Sequence, residues 1–109
     1  MKKLLWLDDF RNPTSYVIGD YDITWVKNYA DFCKFITDNG LPDIICFDHD
    51  LGGEKSGYDC AKFLVNYCQK HNLDIPEFDL QSTNSVGKEN IRSLMNNWHR
   101  VYSTRLFFR

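Results

Sequence analysis

A chain of 109 residues and 12.9 kDa has room for one domain, read here as residues 1–109, with a single modest core and no space for a multidomain enzyme. Hydrophobic residues at 43% and aromatics at 16%, with six Gly and three Pro, exclude a disordered or collagen-like chain. The net charge of −2 and pI near 5.8 argue against duplex DNA or an anionic membrane surface as the main partner, because both select a clustered positive surface.

The charge is unevenly spread. Residues 1–60 carry six Lys/Arg against eleven Asp/Glu, and residues 61–109 carry seven against four. An acidic half is followed by a basic one, which is either a metal site facing a phosphate-contacting edge or two solvated surfaces. Cys33, Cys46, Cys60 and Cys68 lie in apolar runs without a C-x-x-C pair, so they read as buried free thiols. The apolar start Leu4–Leu7 is cut short by Asp8-Asp9, too soon for a signal sequence, and no run approaches the 18 or so apolar residues of a membrane span. The expectation is a cytoplasmic protein in a reducing compartment.

Leu4 to Leu7 form a short apolar run, the pattern of a strand buried on both faces. Residues 10–21 hold Pro13 and Gly19 with no helical period and read as an irregular loop, leading to a second strand at about Asp22–Val26. Asn28 can cap a helix from Tyr29 to about Asp38, whose apolar face is Tyr29, Phe32, Cys33 and Ile36, with Gly40 beyond its end. Asp43–Phe47 is a third strand. Gly57 to about His71 is a second helix with Ala61, Leu64, Val65 and Cys68 on one face, and Ile75–Gln81 reads as a fourth strand with Pro76 at its start. A third helix from about Gly87 to Trp98 carries Ile91, Leu94, Met95 and Trp98, and Val101–Thr104 with Leu106–Phe108 reads as a fifth strand. Alternating strands and helices predict an open three-layer α/β domain with a five-stranded parallel sheet and no helix in the first crossover.

In such sheets ligands bind beyond the carboxyl ends of the strands. The first strand ends in Asp8-Asp9, the third in Asp48-His49-Asp50, and the fourth in Gln81-Ser82-Thr83-Asn84. If the first and third strands are neighbours, Asp8, Asp9 and Asp48 converge. Carboxylates that close repel unless a cation balances them, and Mg²⁺ or Mn²⁺ takes a few carboxylates while leaving positions for phosphate oxygens. Continued strand alternation would put Asp48 and Asp50 on one side and His49 on the other, leaving His49 either a general acid or base or a packing residue. Arg11, Lys88 and Arg105 are candidate phosphate contacts, with an ion pair to a neighbouring aspartate the alternative for Arg11. Ser82 and Asn84 precede a helix whose free N–H groups favour an anion, and they serve equally well as caps.

The strings Leu5-Trp6-Leu7-Asp8-Asp9-Phe10-Arg11-Asn12-Pro13, Phe47-Asp48-His49-Asp50-Leu51-Gly52 with Gly57-Tyr58-Asp59, and Ser82-x-Asn84-x-x-Gly87 together resemble the cyclic-phosphate processing receiver domains, relatives of two-component receivers. The resemblance spans about residues 4–95. It implies a receiver-like (flavodoxin-like) fold and a role in processing cyclic phosphates on nucleotides or RNA ends. By position it implies Asp8, Asp9 and Asp48 as metal ligands, His49 and Asp50 flanking the metal, Arg11 on phosphate, and Ser82 and Asn84 on the far wall. Where the family usually has His before the Ser, this chain has Gln81, which cannot transfer a proton at neutral pH. Ser85 stands where Pro is common.

The leading expectation is therefore a Mg²⁺- or Mn²⁺-dependent phosphodiesterase or phosphohydrolase acting on a small phosphorylated ligand or an RNA end, with Asp48, His49 and Asp50 as catalytic candidates. A phosphoacceptor signalling module with Asp48 as nucleophile is the alternative, although the chain has no Lys after Lys88 to serve as the receiver's phosphate-stabilising Lys. A non-catalytic domain binding a nucleotide or a partner is the third. No protein partner is specified by the residues.

Overall fold

The structure, a computed structural model, describes residues 1–107. Strand β1 runs Lys2–Leu7, β2 Tyr21–Val26, β3 Ile44–Phe47 and β4 Glu77–Leu80, while helix α1 spans Tyr29–Asn39, α2 Gly57–His71 and α3 Ser85–Phe107. The sheet is parallel, in the order β2-β1-β3-β4. A single 3-10 turn at Pro13–Ser15 stands in the first crossover, so the missing helix is as the loop composition predicts.

Local sequence explains the helix ends. The Asn28 side chain accepts from the Asp31 amide at 2.8 Å, and Asp59 accepts from the Ser56 amide at 2.8 Å in a capping box. Asn84 caps α3 in the same way, its Oδ1 accepting from the Gly87 amide at 2.8 Å.

The topology decides which face is covered. The connections β2–α1–β3 and β3–α2–β4 advance the same way across the sheet, so right-handed crossovers put α1 and α2 on one face. The β1–β2 connection runs the other way and falls on the opposite face. Phe32 and Ile36 of α1, Cys60, Leu64 and Cys68 of α2, and Ile91, Met95 and Trp98 of α3 pack with Leu5, Leu7, Ile45 and Phe47 in one core. Across the sheet Leu4, Trp6 and Cys46 form a second, small cluster met by Val17 of the loop and Tyr21 of β2 rather than by a helix. Two corrections follow. Among the described residues the domain has two layers, not three, and four strands, not five.

The predicted fifth strand is helix. From Lys88 onward the sequence contains no Gly or Pro to end α3, and its apolar face continues from Trp98 to Tyr102, whose rings lie 6.1 Å apart. Ser103 and Thr104 donate to the carbonyls of His99 and Arg100 at 2.9 and 3.0 Å, which satisfies their hydroxyls inside the helix. Of that predicted strand, Phe108 lies outside the described residues. No helix among the described residues is long and apolar enough to cross a membrane.

Candidate functional site at the carboxyl edge

Register brings the carboxylates together. Leu7 pairs with Phe47, and Phe47 pairs with Leu80. The ladder continues one step further, the Asp48 amide donating to the Leu7 carbonyl at 2.9 Å and the Gln81 amide to the Phe47 carbonyl at 3.0 Å. Asp8, Asp48 and Gln81 therefore stand side by side at the point where the chain order reverses, the location at which open α/β sheets bind ligands. Asp8, Asp9 and Asp48 each offer an oxygen within 4.8 Å of the others.

Asp8 is fully buried and Asp48 nearly so, whereas Asp9 is exposed. Asp8 Oδ1 accepts from the amides of Phe10 and Arg11 at 3.0 and 2.8 Å, so the turn after β1 is wound around this carboxylate. The Arg11 guanidinium lies 3.2 Å from Asp8 and 3.6 Å from Asp48. Burial acts to lower the Arg11 pKa, yet the hydrogen bond and the charges of Asp8 and Asp48 win and raise it. Arg11 thus occupies its predicted place and, in this state, forms the ion pair weighed as the alternative to a phosphate contact.

Burial, and then the charge of Asp8, push the Asp48 carboxyl above the ordinary range, while a hydrogen bond with Ser82 and the charge of Arg11 act against the rise. The donor set fits a hard divalent cation. It offers oxygen ligands only, two of them held in a buried row and the third free at the rim.

Gln81 reaches over this row, donating from Nε2 to the Leu7 carbonyl at 3.0 Å and approaching Asp8 at 3.4 Å. The sequence places Gln81 at the polar end of the fourth strand and marks it as a departure from a pattern, without giving it a contact; the structure shows it touching the site. Two indoles also anchor the edge. Trp25 Nε1 donates to the Asp8 carbonyl at 2.7 Å, and Trp6 Nε1 to the Arg11 carbonyl at 2.8 Å. Only the pairing of Trp6 with Trp25 in neighbouring strands could have announced them.

Asp50 and Asn84 are placed differently from expectation. β3 ends at Phe47, so alternation does not extend to Asp50. Asp50 is exposed and accepts at 2.9 Å from His49 Nδ1, and Asn84 Nδ2 lies 3.4 Å from the same oxygen and 3.3 Å from His49 Nδ1. These hydrogen bonds hold the Asp50 pKa down, the one with His49 foremost. Asp50 therefore orients His49 instead of joining Asp48. The His49 ring lies against Gly87, where any Cβ would collide with it, and Gly57 meets the Asp48 carbonyl just as closely. Both glycines are required by contact, not by backbone dihedral.

Ser82 is buried beside Asp48, and its Oγ accepts from the Asn84 amide at 3.1 Å. Lys88 sits in the first turn of α3, partly exposed and without an ion pair among the described residues. Arg105 is not at the site. Twenty residues separate it from Ser85, about 30 Å along a helix, and its guanidinium stacks on Trp98 at 5.7 Å. The four cysteines are free, and burial pushes the thiols of Cys46 and Cys68 up to about 12, consistent with inert core residues.

Solved structures share this fold. A fusion protein carrying the trimeric coiled coil of yeast Spc42 superposes with a TM-score of 0.59 at 17% identity, over 97% of this chain and 84% of that one. NtrX from Brucella abortus superposes with a TM-score of 0.52 at 12% identity, over 98% of this chain and 28% of that one. No curated protein matches the sequence. Residues 3–97 match the family described as the cyclic-phosphate processing receiver domain, with the acidic edge of β1 and β3 inside the matched segment, and the chain belongs to that family.

Proposed function

We propose that the chain is a divalent-cation-dependent phosphodiesterase that opens a cyclic phosphate on a nucleotide or RNA end. The observation that carries this reading is the convergence of Asp8, Asp9 and Asp48 beside Arg11 at the carboxyl edge of the sheet. Family membership names the phosphate class.

Asp8, Asp9 and Asp48 would hold Mg²⁺ or Mn²⁺, which when bound would supply charge neutralisation at the phosphoryl oxygens. Arg11 serves as the second positive group, exchanging its contact with Asp48 for a phosphate oxygen as the carboxylate is engaged. His49 supplies proton transfer. With Nδ1 hydrogen-bonded to Asp50, its Nε2 is the nitrogen left to take a proton from the water whose oxygen bonds to phosphorus and return it to the sugar oxygen released as the ring P–O bond breaks. Ser82 and Asn84 connect the two halves, Ser82 restraining Asp48 and Asn84 donating to the Asp50 carboxylate that orients His49.

The test is turnover of 2′,3′- and 3′,5′-cyclic nucleotides with Mg²⁺ or Mn²⁺. Asp48→Asn is expected to lower the rate by at least about 100-fold, since even residues that only orient metal ligands are worth 10- to 100-fold, and His49→Gln by about 10² or more. A chelator should remove activity from the wild type. Unchanged turnover in Asp48→Asn would overturn the assignment.

A second reading has one observation in its favour: Asp48 sits beside the buried Ser82 hydroxyl at the tip of β3, in a fold shared with NtrX. In that reading Asp48 accepts a phosphoryl group. Against it, the cation on Asp48 is Arg11, and the strand whose end would carry a receiver's Lys is replaced by the continuation of α3. Mass spectrometry after incubation with a small phosphoryl donor separates the two.

A further inference from the structure

The open sheet face carries a groove of about 490 Å³ that nothing in the catalytic reading uses. Register arranges its floor in rows. Leu4 pairs with Ile44, and Ile44 with Glu77; two residues on, Trp6 pairs with Cys46, and Cys46 with Asp79. Two residues further again on the same face come Asp8, Asp48 and Gln81. With about 3.3 Å of rise per residue, the carboxylates lie about 7 Å beyond the Trp6–Cys46 row. The groove is thus continuous with the carboxylate edge, and Gln81 lines both.

One wall is Tyr16 and Ile18 of the first crossover. Tyr16 stacks on Trp6 at 5.9 Å and is 56% exposed, and Ile18 is 94% exposed. The other wall is Glu77 and Asp79 on the sheet edge, both exposed. Such a cleft takes a flat ring between apolar surfaces, and its carboxylates accept hydrogen bonds from ring or amino N–H groups. The same carboxylates repel phosphate, while at the far end Arg11, together with the cation that Asp8, Asp9 and Asp48 would hold, would attract it, which would set one orientation. Gln81 Oε1 adds a further demand. It is buried and has no hydrogen-bond partner among the described residues, while Nε2 is committed to the Leu7 carbonyl.

We propose that this groove binds the base of a nucleoside phosphate, laid along the open sheet face with its phosphate at Asp8, Asp48 and Arg11 and a ligand donor on Gln81 Oε1. The assignment rests on the phosphate reading of the carboxylate edge. An aliphatic partner helix would cover the apolar floor but would leave Gln81 Oε1 and the acidic wall without donors.

The experiment is NMR titration of the slow His49→Gln protein with Mg²⁺ present, using guanosine 2′,3′-cyclic phosphate, the base-free methyl riboside 2′,3′-cyclic phosphate, and guanosine. The base-containing cyclic phosphate should bind at least about tenfold more tightly than the base-free one, shifting the Trp6 indole and the Cys46 amide. Tyr16→Ala should bring that ratio close to one, while Tyr16→Phe, which keeps the ring, should preserve it. Equal affinity of the two cyclic phosphates, or indifference to Tyr16→Ala, overturns the groove assignment and leaves the phosphate reading standing. Shifts with guanosine but none attributable to either cyclic phosphate at the edge would sustain the groove and sink the phosphate reading. Absence of groove shifts with all three, or a concentration-dependent dimer protecting Tyr16 and Ile18, overturns the assignment.

Discussion

Asp48 is costly to the fold as a carboxylate. Burial and the neighbouring Asp8 raise its pKa above the ordinary 3.8, so the folded state binds its proton more tightly than the unfolded chain does. The sign follows from linkage: the favourable contribution of protonated Asp48 is complete below the unfolded pKa and is lost as pH rises through the folded one. Asp48→Asn should therefore melt at a higher temperature than the wild type at neutral pH in chelator, and the difference should shrink as pH falls toward 4. Thermal unfolding of both proteins across pH checks this, and a less stable variant at neutral pH would contradict it. The residues that gather here were legible for a simple reason. A carboxylate at the end of a buried parallel strand has only the sheet edge to occupy, so Asp8 and Asp48 could be placed from two apolar runs. Asp50 could not, because one backbone turn after Phe47 reverses the alternation and hands it to His49.

At the level of elements, α3 is where the local signal and the alternation of strands and helices disagree. The stretch Val101–Phe108 is rich in β-branched and aromatic residues, the composition of a strand. What decides is continuity: the series Ile91, Met95, Trp98 and Tyr102, at alternating steps of four and three residues, is unbroken, and the helix keeps its backbone hydrogen bonds without having to nucleate anything new. Val101→Pro tests this. Inside a helix it should cost up to about 3 kcal/mol and lower the far-UV helical signal, because it removes an amide and clashes with the preceding turn. On an edge strand it would be nearly silent. The other helices were legible to within two residues, α1 because its apolar period and the Asn28 cap agree and α2 from its apolar period alone, its Ser56–Asp59 capping box being seen only in the structure.

At the scale of the whole molecule, the consequence of a helix-free first crossover is a one-sided core. The loop in this crossover was legible in the sequence, but its consequence, two layers instead of three, follows only once the strand order β2-β1-β3-β4 puts that crossover on the face opposite α1 and α2. With α1, α2 and α3 all packed on Leu5, Leu7, Ile45 and Phe47, the free energy of burial is concentrated on one face of the sheet. The other holds Leu4, Trp6 and Cys46 under a short loop and leads to the carboxylate edge. Leu5 and Leu4 are neighbours on β1, identical in chemistry, at 0% and 4% exposure, and point to opposite faces. Leu5→Ala opens a cavity among close-packed helices that cannot collapse and should cost about 4 kcal/mol, in the upper part of the range for such truncations. Leu4→Ala borders a groove already open to solvent, so water and the loop can fill the gap, and it should cost about 2 kcal/mol. Urea unfolding of the two variants reads the difference directly. Equal losses would mean that the second face is as tightly packed as the first, and a sheet face packed that tightly would have no room for a ligand.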